Sequence, residues 1–117
     1  MGAQHFTTPS KGHDVEDAFL TARSWAQYMH GHGGYTGTIA EKDRYSLFEA
    51  PADTNVEEFA EMILDASHSS DSLEVLGDLI GEDAARAITD VFNDKWGPAV
   101  ALQVGEDEWL FCGFASC

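Results

Sequence analysis

The segment from His30 to Lys42 holds the densest set of residues in the chain that could take part in chemistry. It reads HGHGGYTGTIAEK and contains four glycines, two histidines, two threonines and a tyrosine. Glycines permit positive φ angles and let backbone N–H groups approach a ligand closely, while hydroxyl groups can bind a phosphate or a ribose. The composition of this segment therefore favours a site for a nucleotide-like ligand.

The same glycines also have a purely structural interpretation. Gly31 would end a helix, Gly33 and Gly34 would form a turn, and Gly37 would lie at a bulge or a close crossing. The pattern matches neither the GxxxxGK[ST] phosphate loop nor a GxGxxG turn after a strand, so we reject ATPase and dinucleotide-binding functions of those types. Ligand binding and chain geometry both remain open explanations of the segment.

A second candidate group runs from Asp94 to Pro98, just before an apolar stretch. Lys95 is one of only two basic residues after residue 50, and the neighbouring Trp96 could stack on a base while the lysine meets a phosphate. The alternative is that Trp96 is a core residue at a helix-to-strand corner. We expect four other aromatic side chains to belong to the core and not to a ligand site, namely Trp25, Trp109, Phe111 and Phe114.

In the ligand hypothesis, different kinds of protein group bind different parts of the ligand. Backbone amides and threonine hydroxyls would hold a phosphate, Lys42, Arg44 or Lys95 would offset its charge, and an aromatic ring would stack on a base. The candidate ligand-binding residues are His30, His32, Gly33, Gly34, Tyr35, Thr36, Thr38, Lys42, Lys95 and Trp96.

Catalysis and metal binding are less well supported. His30 and His32 form an HxH pair that could share a metal with a further histidine or acid, but no HExxH, EF-hand or CxxC pattern accompanies it. Cys112 lies in an apolar stretch that favours the thiol form, and an extended strand would hold it too far from Cys117 for a disulfide. We expect no catalytic residues, metal or cofactor, and keep a small hydrolase using His30 or His32 as the enzymatic alternative.

The charge of the chain is strongly acidic and uneven. Twenty-one acidic and six basic residues give a formal net charge of −15, which disfavours duplex nucleic acid as a partner. Residues 1–50 hold six acids and four bases, whereas residues 51–117 hold fifteen acids and two bases. An anionic ligand would be repelled least by the first half. The second half predicts either well-solvated helix faces or a surface that docks on a basic host protein, which is the second function we consider.

Apolar spacing and turn residues predict the elements that position these groups. In chain order they are a strand at 5–8, a helix over 15–29 capped by Asp14 and ended by Gly31, a hairpin of strands 35–40 and 44–49, helices at 54–66, 73–80 and 82–93, and a closing hairpin of strands 100–104 and 109–114. They predict a single α+β domain over residues 1–117, with an antiparallel or mixed sheet and helices packed on one face.

Length and hydropathy set the remaining expectations. A chain of 117 residues can bury a core without disulfides or a metal. No run of about 18 apolar residues occurs, and residues 1–10 lack a basic region followed by an apolar stretch, so we expect no membrane span, no membrane partner and a cytoplasmic location. Because a small monomer offers only shallow clefts, we also consider a homodimer that builds its pocket between subunits.

Several blocks of the sequence resemble a known group of proteins. HGHGGYTGTIAEK, KWGPA and the terminal FCGFASC look like the paired signature of small proteins encoded by bacteriophages, especially those infecting actinobacteria, and the opening MGAQHFTT fits as well. The resemblance implies a phage origin and the host cytoplasm. By analogy with small acidic phage proteins it also implies a binding role, either sequestering a host nucleotide signal to counteract defence or blocking a host protein.

Overall fold

The computed structural model describes residues 2–31 and 36–117, which form one mixed sheet with helices around it. The strands are β1 (Ala3–Lys11), β2 (Tyr45–Phe48), β3 (Ala99–Gln103) and β4 (Glu108–Ser116), and the helices are α1 (Val15–His30), α2 (Val56–His68), α3 (Ser70–Ile80) and α4 (Glu82–Asn93), with a 3-10 turn at Ile39–Glu41.

The strand order is β1-β4-β3-β2, and this topology confirms the predicted α+β class. β4 runs antiparallel to both β1 and β3, so the closing hairpin is as predicted, while β2 runs parallel to β3. A parallel pair needs a long crossover connection, which α2, α3 and α4 supply. Among the described residues no helix is both long and apolar enough to cross a membrane.

The helices cover both faces of the sheet, which corrects the expectation that they pack on one face. Along β3, Ala99 and Ala101 contribute to the core beneath α1, whereas Val100 and Leu102 contribute to the core beneath α2, α3 and α4. Successive side chains of a strand point to opposite faces. β3 is an interior strand that is apolar on both sides, so it requires a helical layer on each.

The sequence signals at the two ends of α1 are confirmed. The Asp14 side chain accepts a hydrogen bond from the Asp17 N–H at 2.9 Å, and Gly31 ends the helix with φ 88°. Ala18, Ala22 and other small residues on the buried face let the helix approach the sheet closely. α1 therefore holds the start of the candidate segment against the sheet.

The predicted hairpin at 35–49 is wrong in the part that the structure describes. Residues 39–41 form a 3-10 turn, and Ile39 and Ala40 are buried beneath α1 instead of alternating along a strand. β2 pairs with β3, with Tyr45 opposite Ala99, so its partner lies more than fifty residues away in sequence. Local alternation of apolar residues does not specify which strand a strand will pair with.

Two boundaries in the middle of the chain also differ from the predictions. α2 begins at Val56 instead of residue 54, because the side-chain oxygen of Asn55 caps the helix by accepting from the N–H groups of Glu57 and Glu58. The expected loop at 67–72 shrinks to Ser69, which caps α3 through the Ser72 N–H. Serine-rich stretches suit helix caps as well as loops, which explains the error.

The first and last described strands close the sheet together. β1 and β4 pair over nine residues, and beyond them Gly2 and Cys117 exchange two backbone hydrogen bonds of 3.2 and 3.1 Å. This pairing places the C-terminal residues beside the candidate segment, because the Gly37 N–H donates to the Ser116 carbonyl at 2.8 Å.

Candidate functional site

The described part of the candidate segment is held together by its own side chains. Thr36 donates from its hydroxyl and from its backbone N–H to one oxygen of Glu41, at 2.7 and 3.2 Å. The hydroxyl oxygens of Thr36 and Thr38 lie 2.8 Å apart, and that of Thr38 also accepts from the Ala40 N–H. These bonds engage the hydroxyl groups predicted to hold a phosphate and place a carboxylate beside them, where it would repel an anion.

Lys42 has a different role from the one predicted. Its side chain is 1% exposed, and its ammonium donates to the carbonyls of Asp94, Lys95 and Gly97 at 3.0, 3.3 and 3.1 Å. An ammonium has three N–H donors, so all of them are engaged. Lys42 therefore joins the 3-10 turn to the connection between α4 and β3, and it brings the two candidate groups of the sequence side by side.

The connection after α4 is a compact turn. The Asp94 carboxylate accepts from the Trp96 N–H at 3.0 Å, and the Asp94 carbonyl accepts from the Gly97 N–H at 3.1 Å. A Cβ added to Gly97 would lie 2.7 Å from the Asp94 carboxylate, so glycine is required for this close approach. The turn presents its carbonyls to Lys42 and its side chains to the outside.

Lys95 and Trp96 project from this turn, and Lys95 is half-buried while Trp96 is exposed. Trp96 is 62% exposed, so the alternative interpretation of a core tryptophan does not hold. The Lys95 ammonium lies 5.3 Å from the centre of the Trp96 ring, within the range of a cation–π contact. Together they place a positive charge beside an aromatic ring that is mostly exposed.

Gly37 is explained by packing. It has φ 70°, and an added Cβ would lie 3.1 Å from the Cβ of Gln4 and 3.2 Å from the Cβ of Cys117. The close crossing that the structural interpretation predicts is therefore present at this residue. Gly31 likewise fits that interpretation as the end of α1.

The histidine and cysteine predictions have mixed outcomes. His30 is the exposed last residue of α1, while His32, Gly33, Gly34 and Tyr35 lie outside the described residues, so the roles assigned to them stay predictions. Within ranges 2–31 and 36–117, no group of three or more histidine, cysteine or acidic residues could hold a metal. Both cysteines are free, and burial raises the pKa of Cys112 to about 12, so its thiol stays protonated.

Sequence reasoning missed one surface feature. Trp25, expected in the core with Trp109 and Phe111, is 62% exposed and stacks on Tyr28 with ring centres 5.9 Å apart. The buried side of α1 is formed by Phe19 and three alanines, and Trp25 lies on the flank of the helix. The signal was present in the spread of apolar residues around α1, which is wider than a single buried stripe needs.

The fold and the site define an α+β protein whose sheet carries one helix on one face and three on the other, with a cation and an aromatic ring exposed at the turn that Lys42 holds. None of the protein-family models, curated proteins or solved structures compared with the chain matches it. The function is therefore argued from the residues of this chain alone.

Proposed function

We propose that this is a non-catalytic protein that binds a small anionic, nucleotide-like ligand at the Lys95–Trp96 pair. The observation that supports the proposal is the set of three hydrogen bonds from Lys42, which joins the glycine- and threonine-rich segment to the turn that bears this pair. Taken with the resemblance to phage proteins, the role we propose is sequestration of a host nucleotide signal that acts in defence.

The geometry changes the roles within the proposed site. The Lys42 charge is buried and its donors are engaged, and Thr36 and Thr38 are bonded within their own segment. A phosphate would therefore meet the Lys95 ammonium, while a base would stack on the face of Trp96, whose ring is mostly exposed. The ligand-binding roles of His32, Gly33, Gly34 and Tyr35 stay predictions from the sequence.

A thermal-shift screen with mono-, di- and cyclic nucleotides tests this proposal. A ligand present at about one hundred times its Kd stabilises the folded state by about 2.7 kcal/mol, which corresponds to roughly 11 °C in Tm for a domain of this size. Trp96→Ala is expected to remove the shift because it removes the stacking face. Trp25→Ala is the matched control, since both tryptophans are 62% exposed.

Two results would contradict the proposal. One is a screen in which no nucleotide raises the Tm of the unmodified chain. The other is a shift that Trp96→Ala and Trp25→Ala reduce equally, because the effect would then not depend on the Lys95–Trp96 pair.

A second candidate function is docking on a basic partner protein through the helical layer of α2, α3 and α4. That layer holds ten acidic residues, all exposed, and one basic residue, Arg86. A groove of about 320 Å³ runs between α3 and α4 and is lined by Glu74, Asp78 and Glu82, of which Glu82 pairs with Arg86 at 3.0 Å. The groove offers carboxylates to an arginine or lysine side chain of a partner.

Binding of a fluorescent arginine-rich peptide would test this second function. We expect Glu74→Gln combined with Asp78→Asn to weaken binding several-fold at low salt, with the difference shrinking as salt is raised. Glu106→Gln combined with Asp107→Asn removes the same charge from the β3–β4 loop and serves as the control. Equal weakening by both pairs would mean that only net charge matters, and the groove would then have no special role.

A further inference from the structure

The outer side of α1 carries an apolar surface made of Leu20, Trp25, Tyr28 and Met29. Their exposed fractions are 51%, 62%, 81% and 56%. Together these side chains expose on the order of 500 Å², near the upper end of what a soluble monomer shows and typical of an interaction surface. We call these four residues the α1 surface.

The α1 surface lies in the longest stretch of the chain that has no acidic residues. Residues 18–40 contain no aspartate or glutamate, although the whole chain has a net charge of −15. Glu57 of α2 and Glu108 of β4 line the cavity that Trp25 also lines, together with Lys11, so the nearest acids lie at the edge of the surface and not within it. Two copies that meet through the α1 surface therefore bring none of its own side chains into carboxylate contact, although the net charge of each copy still repels the other.

The surface also combines a projecting side chain with a cavity. Tyr28 is the most exposed of its large apolar residues, and a cavity of about 470 Å³ opens beside β1, lined in part by Trp25, Thr21 and Trp109. Trp25 belongs to both features, since it stacks on Tyr28 and lines the cavity. In a twofold dimer each copy can insert its Tyr28 beside the Trp25 of the other, so that one patch serves both sides of the interface.

The free edge of β1 is a poorer route to self-association. The reciprocal bonds of Gly2 with Cys117 fix the alternation of the antiparallel ladder, which points the backbone nitrogen of Pro9 away from β4 and toward the open edge. Proline has no N–H to donate there, and the exposed Lys11 follows two residues later. Both features discourage pairing with another strand.

We propose that the α1 surface is the interface of a symmetric homodimer. About 500 Å² of apolar area from each copy, with the polar Thr21 and Ser24 around it, approaches the 600 Å² a side that the smallest stable protein interfaces bury. This inference does not depend on the proposed ligand, because the Lys95–Trp96 pair is not part of the α1 surface.

The mass of the full chain in solution tests the dimer. Light scattering coupled to size exclusion, over 1–100 µM, is expected to give twice the monomer mass of 12.7 kDa. Tyr28→Asp places a charge on the most exposed side chain of the interface and is expected to raise the dimer Kd at least 30-fold, and Trp25→Ala at least tenfold. Trp96→Ala is the control that leaves the mass unchanged.

Salt gives an independent readout. Because both copies are strongly acidic, raising the salt from 50 to 500 mM screens their repulsion and is expected to tighten the dimer several-fold. A chain that stays monomeric at 100 µM and 500 mM salt would overturn the proposal and leave the surface to a different protein. A dimer that survives both Tyr28→Asp and Trp25→Ala would overturn it too. Neither result bears on the nucleotide screen, which depends on Trp96.

Discussion

Replacing Lys42 with methionine is expected to lower the free energy of unfolding by about 3 kcal/mol. Methionine fills most of the same space but donates no hydrogen bond, so the carbonyls of Asp94, Lys95 and Gly97 lose a shared donor. A buried polar group left without a partner costs about 1–3 kcal/mol, and water entering the turn would recover part of that loss. The connection between α4 and β3 would also lose its contact with the 3-10 turn.

Urea denaturation followed by circular dichroism measures this loss. Lys11→Met is the control, because Lys11 is exposed and its ion pair with Glu108 spans 4.0 Å, so its removal is expected to change stability by less than about 0.5 kcal/mol. Similar stability of the two variants would show that the bonds of Lys42 contribute nothing to the fold.

The stability difference between the parent and Lys42→Met is also expected to depend on pH. Burial lowers the pKa of Lys42 from 10.5 to about 8, against the opposing attraction of Asp94. The unfolded chain keeps the ordinary value, so between pH 8 and 10.5 it binds the proton that the folded chain has released. The contribution of Lys42 to stability therefore rises with pH in this window, and the stability difference between the parent and Lys42→Met should grow by about 1 kcal/mol per pH unit. A constant difference would contradict the lowered pKa.

Gly37→Ala is expected to lower the free energy of unfolding by about 2–3 kcal/mol. Its φ of 70° costs an alanine about 1–2 kcal/mol, and the new Cβ would press on the Cβ atoms of Gln4 and Cys117 at 3.1 and 3.2 Å. Gly105→Ala is the comparison, because the nearest atom to its added Cβ is that of Glu108 at 3.9 Å and a change below about 0.5 kcal/mol is expected there.

The Gly37→Ala variant also distinguishes a role of Gly37 in packing from a role in ligand binding. If Gly37 serves the crossing alone, a nucleotide that stabilises the parent should still raise the Tm of Gly37→Ala by a similar amount. A variant as stable as the parent would instead mean that the crossing tolerates a side chain. The need for glycine at this residue would then lie in something other than packing.

The parts of the fold that depend on local signals could be predicted from the sequence. The cap at Asp14, the end of α1 at Gly31 and the bounds of α4 follow from residues adjacent to each helix, and the closing hairpin follows from two nearby apolar strands. The parallel pairing of β2 with β3 could not be predicted in this way, because nothing in residues 45–48 specifies a partner so distant in sequence.

The candidate site could likewise be predicted only in part from the sequence. The sequence identified both groups of polar and aromatic residues, but it could not show that Lys42 is enclosed by the carbonyls of residues 94–97. The sequence shows that a lysine carries a positive charge, but only the folded surroundings decide whether that charge can bind a ligand or is hydrogen-bonded within the protein. The prediction that Trp25 is buried was wrong for a related reason, because helical spacing does not say how far around a helix the core extends.

The pairing of β1 with β4 has a consequence for synthesis in the cell. About a hundred residues separate these strands, so the central strand β4 leaves the ribosome after the other described strands and β1 has no partner until it does. Phe6 and other residues that pack beneath α1 in the folded protein therefore stay exposed in the nascent chain. The domain therefore completes its sheet only once residues 108–116 have emerged, in a single late step that brings distant segments together, and a ribosome stalled before residue 108 would hold an open, association-prone chain.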